Sequence, residues 1–431
     1  IILFFNQPIT SNFFTSIGKP QKGVFLSLTR QVLFFIPLVL ILPLFFGINV
    51  AVSALVARRK GEQQQKQANE VLLTAFELTL ALCLVITVLF TAFAPWMMRI
   101  SGSNADTHEA AVEYFRIIMG GTLFNVITMV INAAQRGSGN TKLSMITNLT
   151  SSVVNVFFNY LLIEGHLGFP ALGIRGAAIA TVLGTVVAAA MAIRSLFRPG
   201  SYVSIPMIRR ERLRFSVPGL RSIWKISYTS SLENIAARVG FVATAMIAAR
   251  LGTDEFAAHN IGMNLLSVGF SFADGMQVAA VALAGEALGA GQKEEAKRYG
   301  AICQRIGLLI SLVLSLLLFL GGKWFFSLYF QEAHILEMGV QISRFTMIIV
   351  LLQISQIIFA GCLRAAGDVR YTLLASTVSI AIIRTTVTVL LVNVFHLGLT
   401  GVWTGILADQ FSRFVLLAIR FHQGKWVDLE I

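Results

Sequence analysis

Long apolar runs separated by short polar stretches make up most of the chain. They occupy residues 23–57, 68–93, 113–136, 142–164, 172–194, 222–250, 255–285, 298–325, 341–364, 370–395 and 400–422. Coiled as helix, about 20 apolar residues cross the roughly 30 Å hydrocarbon core of a bilayer. Lipid offers no partners for backbone N–H and C=O groups, so only helices or closed barrels cross it. Barrel strands are segments of about ten residues with alternating polarity, and these runs are longer and do not alternate. The pattern predicts an all-α, polytopic membrane protein.

The polar stretches alternate in charge. One set holds Arg58, Arg59, Lys60 and Lys66, then Arg136 and Lys142, then the run from Arg194 to Lys225, then Lys293, Lys297 and Arg298, then Arg364 and Arg370. The intervening stretches carry mostly single basic residues, such as Arg99, Arg175, Arg250 and Lys323. The excess of Lys and Arg on cytoplasmic loops predicts that the first set, and the tail with Arg420 and Lys425, face the cytoplasm.

Composition sharpens this reading. Of 431 residues, 56% are hydrophobic and 13% charged, about half the charge of an average soluble domain. The net charge of +13 fits basic loops lying against an anionic leaflet, and no nucleic-acid partner is expected. Cys83, Cys303 and Cys362 stand far apart inside apolar runs, which predicts neither disulfides nor a metal site. The six histidines are scattered and form no H-E-x-x-H or comparable cluster. A membrane-embedded enzyme is therefore disfavoured, and no cofactor is expected.

An internal repeat organises the rest. Adding 228 carries Gly139 to Gly367, Trp96 to Trp324, Arg116 to Arg344, Gly173 to Gly401 and Gly61 to Gly289. The offset holds without gaps from residues 49–193 to 277–421. The expected domains are an N-lobe over 48–193, a basic cytoplasmic linker over 194–221 and a C-lobe over 222–431. An even number of spans per copy predicts two bundles of up to six helices each, related by a pseudo-twofold axis along the membrane normal. Gly61 and Gly289 are expected in tight turns, and Gly139 and Gly367 at short corners, where positive φ favours glycine.

Residues 1–47 break the scheme. They match 350–396, with Gln7 on Gln356, Gly18 on Gly367 and Ser27 on Ser376. This predicts a rearranged front in which the first N-lobe helix is missing or replaced. The alternative is one kinked, tilted helix, broken at Pro37 and Pro43.

From Asn49 onward the chain resembles the MATE (multidrug and toxic compound extrusion) transporters. The resemblance is carried by "SALVARRKGEQQQKQAN", "NAAQRGSGNTKLSMITNLTSSVVNVFFNYLLI", "LGTDEFAAHNIGMNLLSVGFSFADGMQVAAVALAGEALGAGQKEEAKRY" and "GCLRAAGDVRYTLL". It implies two six-helix lobes around a cavity open alternately to each side. It also implies efflux of amphipathic, often cationic xenobiotics in exchange for H⁺ or Na⁺. The expected setting is the bacterial inner membrane, with small-molecule substrates and the bilayer as partners and a monomer as the working unit.

Ionisable residues inside spans are costly and mark function by default. Glu233 lies 11 residues into its expected span, about 17 Å deep, near the midplane. A carboxyl group there can hold a proton or a cationic cargo, but not both. Its segment "SSLENIAARVG" resembles the MATE seventh helix that carries a functional glutamate. The bland alternative is a structural pairing with Arg238. Asp274 and Asp409 are deep as well and are further coupling candidates, with an Asp409–Arg384 ion pair as the structural alternative. Asn155 and Asn159 share a helix face and resemble a fifth-helix pattern whose second residue is an aspartate. The amide at Asn159 releases no proton, which puts first-lobe coupling in doubt. Gln353 replaces a tenth-helix aspartate found in some MATE proteins, and with Gln356, Asn155 and Asn159 it is a candidate cavity residue. His259 is expected to be structural. A lipid-linked precursor flippase of related architecture and an inactive rearranged transporter are the competing functional readings.

Overall fold

The computed structural model describes residues 35–100 and 108–429. Most of the atypical front, residues 1–34, lies outside the described residues, and so does the prediction made for it. Among the described residues there is no strand, and ten helices are long and apolar enough to cross a membrane. The chain divides into two compact units, 1–228 and 229–431.

In the first unit, α1 spans Phe35–Gly61, α2 Gln65–Ala92, α3 Ala94–Ile100, α4 His108–Gly137, α5 Thr141–Ile163, α6 Ile174–Ser195 and α7 Ile205–Arg210. The helix α8, Val217–Leu251, runs from this unit into the next. The second unit continues with α9 (Thr253–Gly289), α10 (Lys293–Ser327), α11 (Ala333–Ala365), α12 (Val369–Val394) and α13 (Gly398–His422). Two π-helical stretches, Val378–Arg384 and Leu390–Val394, lie within α12. The helix α1 is continuous through Pro43, so the break that the alternative reading places there does not form.

The sequence repeat has a structural counterpart at the level of single hydrogen bonds. At the end of α1, Glu62 N–H donates to Arg58 O (3.0 Å) and Gln64 N–H to Arg59 O (2.8 Å). At the end of α9, 228 residues on, Ala290 N–H donates to Glu286 O (3.0 Å) and Gln292 N–H to Ala287 O (2.9 Å). The corner between α4 and α5 closes with Asn140 N–H on Gln135 O (2.8 Å), and that between α11 and α12 with Asp368 N–H on Leu363 O (2.9 Å). Such bonds satisfy carbonyls that the helix itself leaves open.

The corner glycines behave as expected, with φ of +88° at Gly139 and +82° at Gly367. Gly61 and Gly289 do not. They are the last residues of α1 and α9, and the positive φ falls two residues later, at Gln63 (+59°) and Gly291 (+72°). The left-handed position follows the last helical turn, so the turn begins where the helix runs out of partners.

Packing repeats too. In the first unit α4 takes α1, α2 and α6 against it, and α5 lies on α6. In the second, α11 takes α9, α10 and α13, and α12 lies on α13. The central helix α11 is the most deeply enclosed, with every residue from Gln353 to Ala365 buried. The linker belongs to the first unit's packing. Gln65 and Asn69 of α2 donate to Tyr202 O, Asn69 Oδ1 accepts from Ser204 N–H (2.8 Å), and Thr74 Oγ1 accepts from Ser216 N–H (3.1 Å).

Candidate functional site

In the second unit, α8, α11 and α12 bring three polar side chains together. Glu233 projects from α8. Arg364, in the last turn of α11, donates through Nη2 to both carboxylate oxygens at 2.8 Å. Ser376 of α12 donates to Oε1 at 2.6 Å. The glutamate and arginine side chains are 12% and 7% exposed. The partner is thus Arg364, and the Glu233–Arg238 pairing offered as the alternative is not the one formed.

Glu233 is the 17th of the 35 residues of α8, the middle of that helix. Its two partners stand near helix ends, Ser376 seven residues into α12, about 10 Å from its start, and Arg364 in the last turn of α11. The helix α8 itself begins at Val217 and, at 35 residues, is about 52 Å long. That exceeds a bilayer core, and its first turns belong to the linker side.

A second buried cluster surrounds Asp409 on α13, which is fully enclosed. Arg413, one turn on, donates to its two oxygens at 2.8 and 2.9 Å. Arg384 Nη1 is 3.6 Å away, so the Asp409–Arg384 pair exists, with Arg413 as the closer cation. Arg384 also donates through Nε to Thr244 Oγ1 (2.9 Å) and lies over the Phe241 ring at 4.7 Å. Gln410, next to Asp409, accepts from Gln356 of α11 at 3.4 Å. Gln353 is fully buried, and its carboxamide sits against Gly269 of α9. Asp274 is half-buried on α9. His259 is buried with its ring edge-on to Trp403.

In the first unit Asn155 and Asn159 do share a face. Asn159 donates to Asn155 Oδ1 (3.1 Å), and Asn155 donates to Thr181 Oγ1 on α6 (3.2 Å). Thr181 is the repeat mate of Asp409, so both units place a polar group at that position of their last helix.

Four site residues escaped sequence reasoning: Arg364, Ser376, Arg413 and Gln410. Two left a signal. Arg364 opens "RAAGDVR" and repeats Arg136, which bonds Asn49 (2.7 Å) and Ser144 (2.9 Å) in the first unit. Arg413 is four residues after Asp409, a spacing that puts both on one helix face.

The family model MatE matches residues 31–161 and 230–390, well over half the chain. The chain belongs to the MatE family, a family of membrane transporters. Among curated relatives, a probable multidrug resistance protein NorM of Thermotoga maritima is 28% identical over 415 residues, covering 95% of this chain and 86% of that protein. The probable multidrug resistance protein YoeA of Bacillus subtilis is 24% identical over 396 residues, covering 90% and 85%. Solved structures share the fold. An outward-facing multidrug resistance MATE family transporter of the MOP superfamily superposes with a TM-score of 0.86 at 23% identity, covering 98% of this chain and 94% of that one. A MATE in a bent conformation gives 0.84 at 22% identity, with 98% and 91% covered. A MOP superfamily transporter from Pyrococcus furiosus, described as having a binding pocket of reverse polarity, gives 0.85 at 22%, with 98% and 92% covered. The chain is accordingly a multi-pass membrane protein of two-lobed MATE type.

Proposed function

We propose that this MatE protein is a secondary active efflux transporter. It exports amphipathic, cationic compounds in exchange for H⁺, with Na⁺ as the alternative ion, by alternating access across a bacterial inner membrane. The observation that carries the reading is the enclosed Glu233 carboxylate with its paired Arg364 and the Ser376 hydroxyl. A lone carboxylate in a low-dielectric interior is costly, and an internal cation offsets that cost. Arg364 then serves as the resting partner of Glu233. A proton on Glu233 releases Arg364, and a cationic cargo competes with Arg364 for the same oxygens. One carboxylate cannot serve both at once, and that exclusion couples the two flows.

The other candidates take graded parts in this scheme. Asp409, already engaged by two guanidinium groups, holds α12 and α13 together, and Asp274 is the second exchange candidate. Asn155, Asn159, Gln353 and Gln356 supply neutral hydrogen-bonding groups. Because Asn159 cannot ionise, ion coupling resides in the second unit. The basic loops and the tail face the cytoplasm. The names of the curated relatives and the outward-facing and bent conformations of the solved ones support this reading.

The test is efflux of a cationic dye from vesicles under an imposed H⁺ or Na⁺ gradient, comparing wild type with Glu233→Gln. Wild-type efflux under the H⁺ gradient, abolished by the substitution, is the expected result. Unimpaired efflux by the mutant removes Glu233 from the mechanism, and inactivity of both proteins favours an inactive rearranged transporter. One observation favours a second reading. Arg384 and Arg413 both surround Asp409, an excess of buried positive charge that suits an anionic cargo such as a lipid-linked phosphate. Flipping of such a lipid in the same vesicles would decide for it.

A further inference from the structure

Between the start of α5 and the end of α6 lies a cavity of about 480 Å³, within the range of small-molecule sites, about 300–1,000 Å³. Its rim carries Lys142 from α5, Arg194 from α6, and Arg198 just beyond α6. Among the described residues none of these three cations has a carboxylate partner. All three are exposed. Arg59, by contrast, is paired with Glu62, and Arg136 is bonded to Asn49 and Ser144.

The wall is apolar. Ile146 and Met191 line the cavity, and the face of α5 continues from Ile146 to Leu149 and Val153, which are 62% and 60% exposed. Residues three and four apart stack along one helix face, so the stripe descends from the cationic rim into the region where acyl chains would lie. Ile193 and Phe197, the residues just before Arg194 and Arg198, are exposed as well.

From this arrangement we infer a binding site for an anionic phospholipid of the adjoining leaflet. The phosphate sits among Lys142, Arg194 and Arg198, and the acyl chains lie along Ile146, Leu149 and Val153. Basic clefts between helices near the membrane surface take anionic headgroups, and Arg suits the oxygens of phosphate. A zwitterionic lipid carries its own counter-charge and gains less there. A free phosphate would engage the cations but leave the apolar stripe unused. The site is independent of the exchange chemistry at Glu233.

Native mass spectrometry of the full chain in detergent tests the inference. Phosphatidylglycerol, phosphatidylcholine and inorganic phosphate are offered separately to wild type and to K142Q/R194Q/R198Q. Each cation near an anionic lipid surface is worth roughly fivefold in affinity, so the triple variant should bind phosphatidylglycerol on the order of 100-fold more weakly. Phosphatidylcholine should bind both proteins alike. Single substitutions, each costing about fivefold, supply the answer if the triple variant fails to fold. Equal phosphatidylglycerol binding by wild type and variants overturns the site. So does a wild type that fails to prefer phosphatidylglycerol to phosphatidylcholine, or displacement of the lipid by inorganic phosphate.

Discussion

A double-mutant cycle on Glu233 and Arg364 measures whether their contact is an energetic unit. Glu233→Gln keeps the shape of the side chain and an acceptor for Ser376, but it removes the charge facing Arg364. Arg364→Gln does the converse. Both oxygens stand 2.8 Å from Nη2, and the two side chains are 12% and 7% exposed. Breaking a buried ion pair from one side costs about 3–5 kcal/mol, because the other charge stays behind without a partner. The slight opening at Glu233 puts each single substitution near the lower limit, about 3 kcal/mol. In the double variant neither charge is stranded, so its cost falls below the sum by about 2 kcal/mol. Reversible unfolding of the four proteins in mixed micelles, followed by circular dichroism, reads these differences. Additive costs, agreeing within about 0.5 kcal/mol, would show that the two side chains do not sense each other and would refute the resting-partner role of Arg364.

Other sites give further expected outcomes. Asp409→Asn strands Arg384 and Arg413 in a fully buried position, and the same unfolding assay should show a loss of about 4–5 kcal/mol. Gly291 has φ +72° with open space around it, so Gly291→Ala should cost about 1 kcal/mol from backbone strain alone. Its repeat mate Gln63 holds φ +59° on the surface, and Gln63→Gly should raise stability by about 0.5 kcal/mol once the extra freedom of glycine is subtracted. The hydrogen bond and charge of Lys293 hold the Asp428 carboxyl below its ordinary value of 3.8. A depressed carboxylate stabilises the folded form above its unfolded value and loses that contribution as pH falls through the folded one. Amide protection in the turn Lys425–Asp428, taken relative to the intrinsic exchange rate at each pH, should therefore fall only below about pH 3.8, and high salt should lower it at neutral pH.

The helix plan was legible because it depends on local rules. Apolar runs set the spans, and corners at 138–140 and 366–368 announce themselves by glycine and by side chains that favour helix starts. The constant offset survives because each helix must end at the same register to close the same six-residue hydrogen-bond loop, as Gln64 on Arg59 and Gln292 on Ala287 do. The turn glycines were misplaced by two residues for a related reason. A helix-terminal glycine and a left-handed glycine look alike in sequence, and in the first copy Gln63 holds the strained position without being glycine.

The site was less legible because its partners are set by tertiary geometry. Counting along α8 locates Glu233 but not the residues that meet it, Arg364 at the end of α11 and Ser376 seven residues into α12. The same counting matches Asp409 with Arg384 across two helices and passes over Arg413 on its own face. Two π-helical stretches in α12 contribute to this. Each adds residues to a turn and rotates the helix beyond it, and Arg384 is the last residue of the first stretch. It arrives 3.6 Å from Asp409 while bonding Thr244. Where the copies diverge is informative as well. Arg136 and Arg364 are repeat mates, yet the first bonds neutral Asn49 and Ser144 and the second bonds a carboxylate. In the second copy the corner arginine meets a titratable group, and on that contact rests the proposal that exchange chemistry resides in the second unit.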